Sequence, residues 1–439
     1  MNLIEIFPIS DVEAIVEVPG SKSITNRALM IAALSQGKNS LTGVLDSEDT
    51  QIMIEALKTL GVDVLHNPLT HSVEIDGKGG CFPNQNAEIY VGNSGTTARF
   101  LTAALACSQG TYRLFGKPRM HERPLGDLLQ AIRHLGGSIS SEHNNDCLPI
   151  IIQGKQGLKG KASIAGNVSS QFLSALLLTG GMNNVEMELT VQNELVSHPY
   201  IKMTLAIMKS FGVNVETDAS LRHFKLNGRN QYQPIHYRIE PDASAASYFF
   251  AVPAIVGGKI TVRHLSRQSL QGDVQFVDCL AAMGCLVYDN ENEITVERPR
   301  LNGKLKPLVG IDVDMNDISD TVQTLSVVAL FAESPTRIRN VAHIRHKETD
   351  RIAAVVHELK KLGTRVEEYE DGLTIWPNAN RQQSQKIIIE TYDDHRMAMS
   401  FALAGLALPN IFIKNPECSK KTYPQFFDDL NKLQNNQPN

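Results

Sequence analysis

Residues 21 to 37 read SKSITNRALMIAALSQG. A small polar start is followed by an alanine-rich apolar stretch, and a glycine closes it. The same pattern recurs as NSGTTARFLTAALACSQG from Asn93, SSQFLSALLLTGG from Ser169, DASAASYFFAVPAIVGG from Asp242, SDTVQTLSVVALFAES from Ser319 and DDHRMAMSFALAGLAL from Asp393. The starts are 72 to 77 residues apart, so the 439 residues divide into six copies of one unit.

A second, amphipathic helix type lies between these stretches and ends in a hydrophobic residue followed by glycine. The pairs are Leu60-Gly61, Leu135-Gly136, Phe211-Gly212, Met283-Gly284 and Leu362-Gly363. Glycine after the last apolar residue is a helix stop. Short β-rich runs follow, such as VNVET after Gly212 and TRVEEYEDGLTIW after Gly363. Each copy is therefore expected to be an α/β unit with two helices, and six such copies fit one ring or two groups of three. VEVPGSKS from Val16 and RIEPDASA from Arg238 are matching strand, proline and helix-start segments three copies apart. That match favours two domains, 21–239 and 1–20 plus 240–439, with 434–439 as a flexible tail.

Lys and Arg total 42 against 47 Asp and Glu, a net charge of -5. This balance argues against an extended nucleic-acid footprint. The six cysteines show no CxxC pairing or regular spacing, so neither a zinc set nor a disulfide scaffold is expected. The first residues, MNLIEIFPISDVEAI, carry acids where a signal peptide needs lysine or arginine, and no apolar run is long enough to span a bilayer. A cytoplasmic protein without membrane or nucleic-acid partners is expected.

Cations stand where helices disfavour them. Lys22, Arg27, Arg99 and Arg396 follow their helix starts, Lys347 and Arg351 are expected in the first turn of KETDRIAAVVHEL, and Arg123 and Lys421 stand just before PLGDLLQAI and TYPQFF. Unpaired amides and the macrodipole already make that end electropositive. Any one of these cations reads ordinarily as a solvated charge or as a partner of Asp49, Glu122 or Asp350. Eight in equivalent places of a repeat form an anion trap, and they point to a multi-phosphate or phosphate-carboxylate ligand. Ser169, Ser170 and Gln171, with Ser197 to Tyr200, add hydroxyl and amide donors at two more starts, where N-capping is the plain alternative.

The chain has no P-loop, no GxGxxG opening a helix after a strand and no HExxH, and nothing in it demands a cofactor. His343 to His346 and Asp393 to His395 could ligate a metal, but loop polarity or anion binding is the better reading, so no metal is expected. Near the cationic starts, Lys22, Asp320, Glu348 and His395 remain for proton transfer. Asp320 could equally satisfy helix amides, and Glu348 could pair with Arg351.

Seven stretches in order across the whole chain, PGSKSITNRALMIAAL, GNSGTTARFLTAAL, RMHERPLGDLL, VSSQFLSALLL, IRHKETDRI, DDHRMAM and KKTYPQFF, resemble the 5-enolpyruvylshikimate-3-phosphate synthases. The resemblance implies an α/β fold, a two-domain inside-out barrel of six repeated units, three per domain. It also implies transfer of the enolpyruvyl group of phosphoenolpyruvate to the 5-hydroxyl of shikimate 3-phosphate, as a monomer, without metal or cofactor. By motif match, Lys22, Ser23, Arg27, Ser169, Ser170, Gln171, Ser197, Tyr200, Asp320, His343 and Lys347 would hold shikimate 3-phosphate. Lys22, Asn93, Gly95, Thr96, Arg123, Gln171, Arg351, Arg396 and Lys421 would clamp phosphoenolpyruvate. Asp320 would accept the hydroxyl proton, Glu348 would protonate the methylene carbon, and Lys22 and His395 complete the catalytic set. Because the cations fall on both halves, domain closure on the ligands is implied as well.

Three positions depart from the family pattern. Phe100 stands where many relatives have proline, His343 where an asparagine is common, and His121 where a lysine is common. The related transferase acting on UDP-N-acetylglucosamine typically carries a loop cysteine, and Lys117 to Pro124 here reads KPRMHERP. A non-catalytic phosphate-ligand-binding protein is the remaining alternative.

Overall fold

Water hardly reaches the six alanine-rich helices. They run Lys22–Leu34, Gly95–Ala106, Ser170–Leu178, Ala243–Val256, Val322–Val328 and His395–Gly405, and almost every side chain on them is buried. The sheets carry the polar surface, since strands such as Ser72–Lys78 and Glu186–Gln192 alternate buried and exposed residues. Helices inside and sheets outside make the fold an inside-out α/β barrel of six repeated units in two domains. The computed structural model describes residues 2–182, 185–228, 231–378 and 385–435.

The chain divides into two compact units, Gly20–Ile239 and Met1–Pro19 with Glu240–Asn439. In each unit the three lead helices pack against one another. A hydroxyl chain from Ser247 through Thr324 to Ser400, each step 3.2 Å, links the three of the second unit. The repeat is plainest at Asn86–Tyr90, where that strand pairs parallel with Gly110–Phe115 and the lead helix lies between them in sequence. Helix Gly126–His134 follows, and strands Ser138–Ser141 and Ile150–Gly154 return antiparallel. Gly61, Gly136, Gly212, Gly284 and Gly363 all have positive φ just past their helices, the left-handed stop for which the sequence selects glycine.

Two first strands are exchanged between copies. Val12–Val16 precedes the first lead helix, yet it pairs parallel with Gly258–Arg263 in the fourth sheet. His236–Arg238 precedes the fourth lead helix, yet it pairs parallel with Gln36–Thr42 in the first sheet. Leu3–Ile6 completes the sixth sheet against Ile411–Lys414. Gln434, expected in the tail, continues helix Phe426–Asn435 and donates to the Phe7 carbonyl at 2.8 Å. Residues 436–439 lie outside the described residues. Among the described residues no helix is long and apolar enough to cross a membrane.

Candidate active site

In the unit of residues 20–239, Ser21 caps the first lead helix and places Lys22, Ser23 and Arg27 on its opening turns. Lys22 stands 3.5 Å from the buried Asp49 carboxylate. Arg27 is 2% exposed. It donates to the Thr204 hydroxyl at 2.8 Å, the Ser23 carbonyl at 3.0 Å and the Ser174 hydroxyl at 3.2 Å. The Phe100 and Tyr200 rings stack over its guanidinium. Burial pushes its ionisation down to about 10, with Tyr200 working the other way. Arg27 therefore joins the first lead helix to helices Ser170–Leu178 and His198–Ser210 of the third copy.

Ser94 caps the second lead helix, and Gly95 is its first residue. Arg123 donates to the Asn93 carbonyl at 3.0 Å and the Asn93 side-chain oxygen at 3.2 Å. A methyl group at Gly95 would lie 2.4 Å from Arg99 Nη1 and 2.6 Å from Arg123 Nη2. Two guanidiniums thus converge on one helix N-terminus, and the missing side chain admits them. Gln171 Nε2 donates to Thr96 Oγ1 at 3.4 Å, which joins the starts of the second and third lead helices. Ser169 caps the third and accepts from the Gln171 amide, with Ser170 buried beside it. Ser197 precedes helix His198–Ser210 in a left-handed conformation and makes no side-chain cap bond, so its backbone rather than a cap sets that turn.

The second unit gathers its candidates around Arg351, which is 2% exposed. Its guanidinium donates to Asp394 at 2.8 Å, Glu348 at 2.9 Å and Asp320 at 3.0 Å. Burial works against its charge, but Asp394, Glu348 and Asp320 together outweigh that and hold its ionisation above the ordinary arginine range. Arg396 donates to the other Asp320 oxygen at 2.6 Å, and Lys421 lies 3.1 Å from the other Glu348 oxygen. Each proposed proton carrier is thus bracketed by two cations. His395 is buried at the first position of its helix, Nδ1 3.6 Å from Asp394. His343 is 4% exposed and shares a 2.9 Å hydrogen bond with the Ser319 hydroxyl. Burial first, and Lys347 second, push its ionisation down to about 3, so a neutral ring stands next to Asp320.

Some details differ from the sequence reading. Lys347 is not in the first turn of a helix. It ends the 3-10 turn Ala342–His346, and the helix begins at Arg351 because Asp350 caps it by accepting from the Ala353 amide. Lys421, expected just before a helix, closes the 3-10 turn Pro416–Lys421, and that helix begins at Phe426 rather than at Thr422. Of the three carboxylates offered as ordinary partners, Asp49 does meet Lys22, whereas Glu122 pairs with Arg119 and Asp350 with Arg345. Asp394 stood in the sequence as part of a helix start and of a possible metal set, not as the partner of Arg351. Its place two residues before Arg396, matching Asp242 in the fourth copy, was the available signal. Among the described residues no group of three His, Cys, Asp or Glu side chains is placed to hold a metal ion.

Cations clustered at helix starts, and two carboxylates, Asp320 and Glu348, held by one arginine, are groups that a reaction between two phosphorylated molecules would need. Comparison with known proteins points the same way. The family model described as EPSP synthase (3-phosphoshikimate 1-carboxyvinyltransferase) matches residues 6–430. A 3-phosphoshikimate 1-carboxyvinyltransferase of Trichormus variabilis is 47% identical, the match covering 96% of each chain. One of Cellvibrio japonicus is 43% identical over 98% of each. The solved EPSP synthase of Acinetobacter baumannii superposes with a TM-score of 0.79 at 26% identity, over 98% of each chain.

Proposed function

Because the chain belongs to the EPSP synthase family, we infer how its own residues carry out that family's reaction. The enzyme transfers the enolpyruvyl group of phosphoenolpyruvate to the 5-hydroxyl of shikimate 3-phosphate and releases phosphate. It is a transferase of aromatic biosynthesis with two small-molecule substrates. We propose that it works as a monomer in the cytoplasm, without nucleic-acid or membrane partners, in keeping with its net charge of -5.

In this reading the unit of residues 20–239 holds shikimate 3-phosphate through Ser23, Arg27, Ser169, Ser170, Gln171, Ser197 and Tyr200. Lys22, Asn93, Gly95, Thr96, Arg123 and Gln171 face phosphoenolpyruvate. The other unit supplies Arg351, Arg396 and Lys421 to the same donor, and His343 and Lys347 to the acceptor. Asp320 takes the proton of the 5-hydroxyl while that oxygen bonds to C2 of phosphoenolpyruvate and Glu348 protonates C3. The product of this step is a tetrahedral carbon bearing both phosphate and carboxylate. Glu348 then recovers a proton from the new methyl group as the bond from C2 to the phosphate oxygen breaks.

One observation carries this assignment: Arg351 grips Asp320 and Glu348 together, with Lys421 on the far side of Glu348. Glu348 must be protonated to act as an acid, and cations hold a carboxylate ionised. A phosphate and a carboxylate arriving at Lys421 and Arg351 draw those cations away, so the donor substrate itself frees Glu348 to take up a proton. The test is phosphate release from phosphoenolpyruvate with shikimate 3-phosphate or with UDP-N-acetylglucosamine. Release with the first acceptor alone is expected. Asp320→Ala and Glu348→Gln are expected to cut turnover about 100-fold or more, with little loss of shikimate 3-phosphate affinity. Near-normal turnover in either removes that residue from the mechanism.

A further inference from the structure

Ser23, Thr96, Gln171 and Arg396 are each the second residue of their lead helix, and all four belong to the proposed site. The second residue of the fourth lead helix is Ser244. Its hydroxyl donates to Oδ2 of Asp273, a carboxyl on the same unit that is 4% exposed. In this copy the protein's own acid stands where the other helix starts would meet an anion.

Asp273 is fixed there. It lies on the 3-10 turn Gly272–Gln275, and the preceding Gln271 accepts from the Ala243 amide at 3.0 Å and donates to the Pro241 carbonyl at 2.7 Å. The same turn packs against Asn316–Thr321, which carries Asp320. Arg396, while holding Asp320, also donates to the hydroxyl of Tyr248 at 3.4 Å, one turn along the helix from Ser244. A buried carboxyl that no step of the mechanism uses is therefore held beside the base and its arginine.

We propose that Asp273 is a positioning residue for the transfer, its charge setting how Arg396 is shared between Asp320 and the anionic donor substrate. The inference rests on the enolpyruvyl-transfer reading. Burial, followed by the charge of Asp320, pushes the Asp273 carboxyl up to about 7; Arg396 and Ser244 oppose the shift and Asp242 adds to it. The titratable groups on the elements around it are Asp242 and Tyr248 at the fourth lead helix, Asp317 and Asp320 on the adjoining turn, Asp278 and Cys279 on helix Phe276–Ala282, and His395 and Arg396 on the sixth lead helix. When neutral, Asp273 leaves Arg396 to Asp320 and phosphoenolpyruvate. When ionised, it attracts Arg396 and repels Asp320, and the donor binds less tightly.

The experiment measures KM for phosphoenolpyruvate from pH 6 to 8.5 in the wild type, Asp273→Asn and Ser244→Ala. Wild-type KM is expected to rise about tenfold relative to Asp273→Asn across that range, the scale of one added charge a few ångströms away. Ser244→Ala removes a donor that favours the ionised carboxyl, so its inflection moves to higher pH. Parallel profiles in all three overturn the proposal. Carbon-13 NMR of aspartate carboxyls in the substrate-free protein supplies the independent reading: a signal titrating near 7 and missing from Asp273→Asn is expected, and its absence from the wild type also overturns the proposal. A protein that shows this titration but releases no phosphate refutes the enolpyruvyl-transfer reading instead.

Discussion

Arg351 Nε donates to Asp394 Oδ2 at 2.8 Å, with neither side chain open to solvent, and this pair ties the fifth copy of the repeat to the sixth. The other Asp394 oxygen accepts the Arg396 amide at 2.9 Å and caps the last lead helix. One carboxylate therefore orients the arginine that grips both proton carriers and also starts the helix that carries the second arginine.

Replacing Asp394 separates these two roles. Asp394→Ala removes the cap and leaves a buried arginine short of a partner, an expected loss of about 3 to 5 kcal/mol. Asp394→Asn keeps an acceptor at the cap and is expected to lose less. Urea unfolding of both variants measures the difference, and equal losses would show that the cap contributes nothing beyond the ion pair.

Gly95→Ala places a methyl group among the Arg99 and Arg123 guanidiniums. Alanine suits a helix better than glycine, so stability is expected to change by less than about 1 kcal/mol. The displaced arginines are expected to raise KM for phosphoenolpyruvate about tenfold or more, while affinity for shikimate 3-phosphate changes little. Unchanged steady-state kinetics would mean that these guanidiniums do not meet the donor.

His343 makes the fold acid-sensitive in a defined window. Its folded ionisation lies at about 3, below the ordinary 6.5, because it is buried next to Lys347. Above 6.5 both folded and unfolded states hold it neutral. As pH falls from 6.5 toward 3, only the unfolded state gains the proton, and stability drops by about 1.4 kcal/mol per pH unit. Between pH 7 and 4.5 the wild type is expected to lose about 2 to 3 kcal/mol more than His343→Asn. Identical pH dependence in denaturant melts would refute the assignment.

Gln323 is fully buried, and neither its amide oxygen nor its nitrogen has a hydrogen-bond partner among the described residues. Methionine has nearly the same shape without the desolvated amide, so Gln323→Met is expected to raise stability by about 1 to 2 kcal/mol. A clear loss in thermal unfolding would reveal a partner for the amide.

The repeat and its helix stops were legible in the sequence because both are local: an alanine-rich apolar helix and a glycine at positive φ leave their mark within a few residues. The fate of Val12–Val16 was not. Its resemblance to the segment before Ala243 locates the crossing, but the choice of sheet is a pairing between residues far apart, and both sheets offer the same edge. Lys347 was expected inside the helix because KETDRIAAVVHEL reads as one helical stretch, and only the bond from Ala353 to Asp350 sets its start at Arg351. The pairing of Asp394 with Arg351, and Asp273 altogether, went unnoticed for a related reason. An acid before a helix already has a sufficient local explanation, and an acid in a turn has no period to betray it.

The exchanged strands also bear on the order in which the molecule can be built. Residues 20–239 include every strand of their own three sheets, so that stretch holds all its partners once it has been synthesised. Residues 3–16 leave the ribosome earlier, yet their partners at Gly258–Arg263 and Ile411–Lys414 come much later. These strands, made before residues 20–239, are thus among the last to pair. Through most of synthesis they are an unpaired apolar segment, for which a nascent chain needs either shielding or speed.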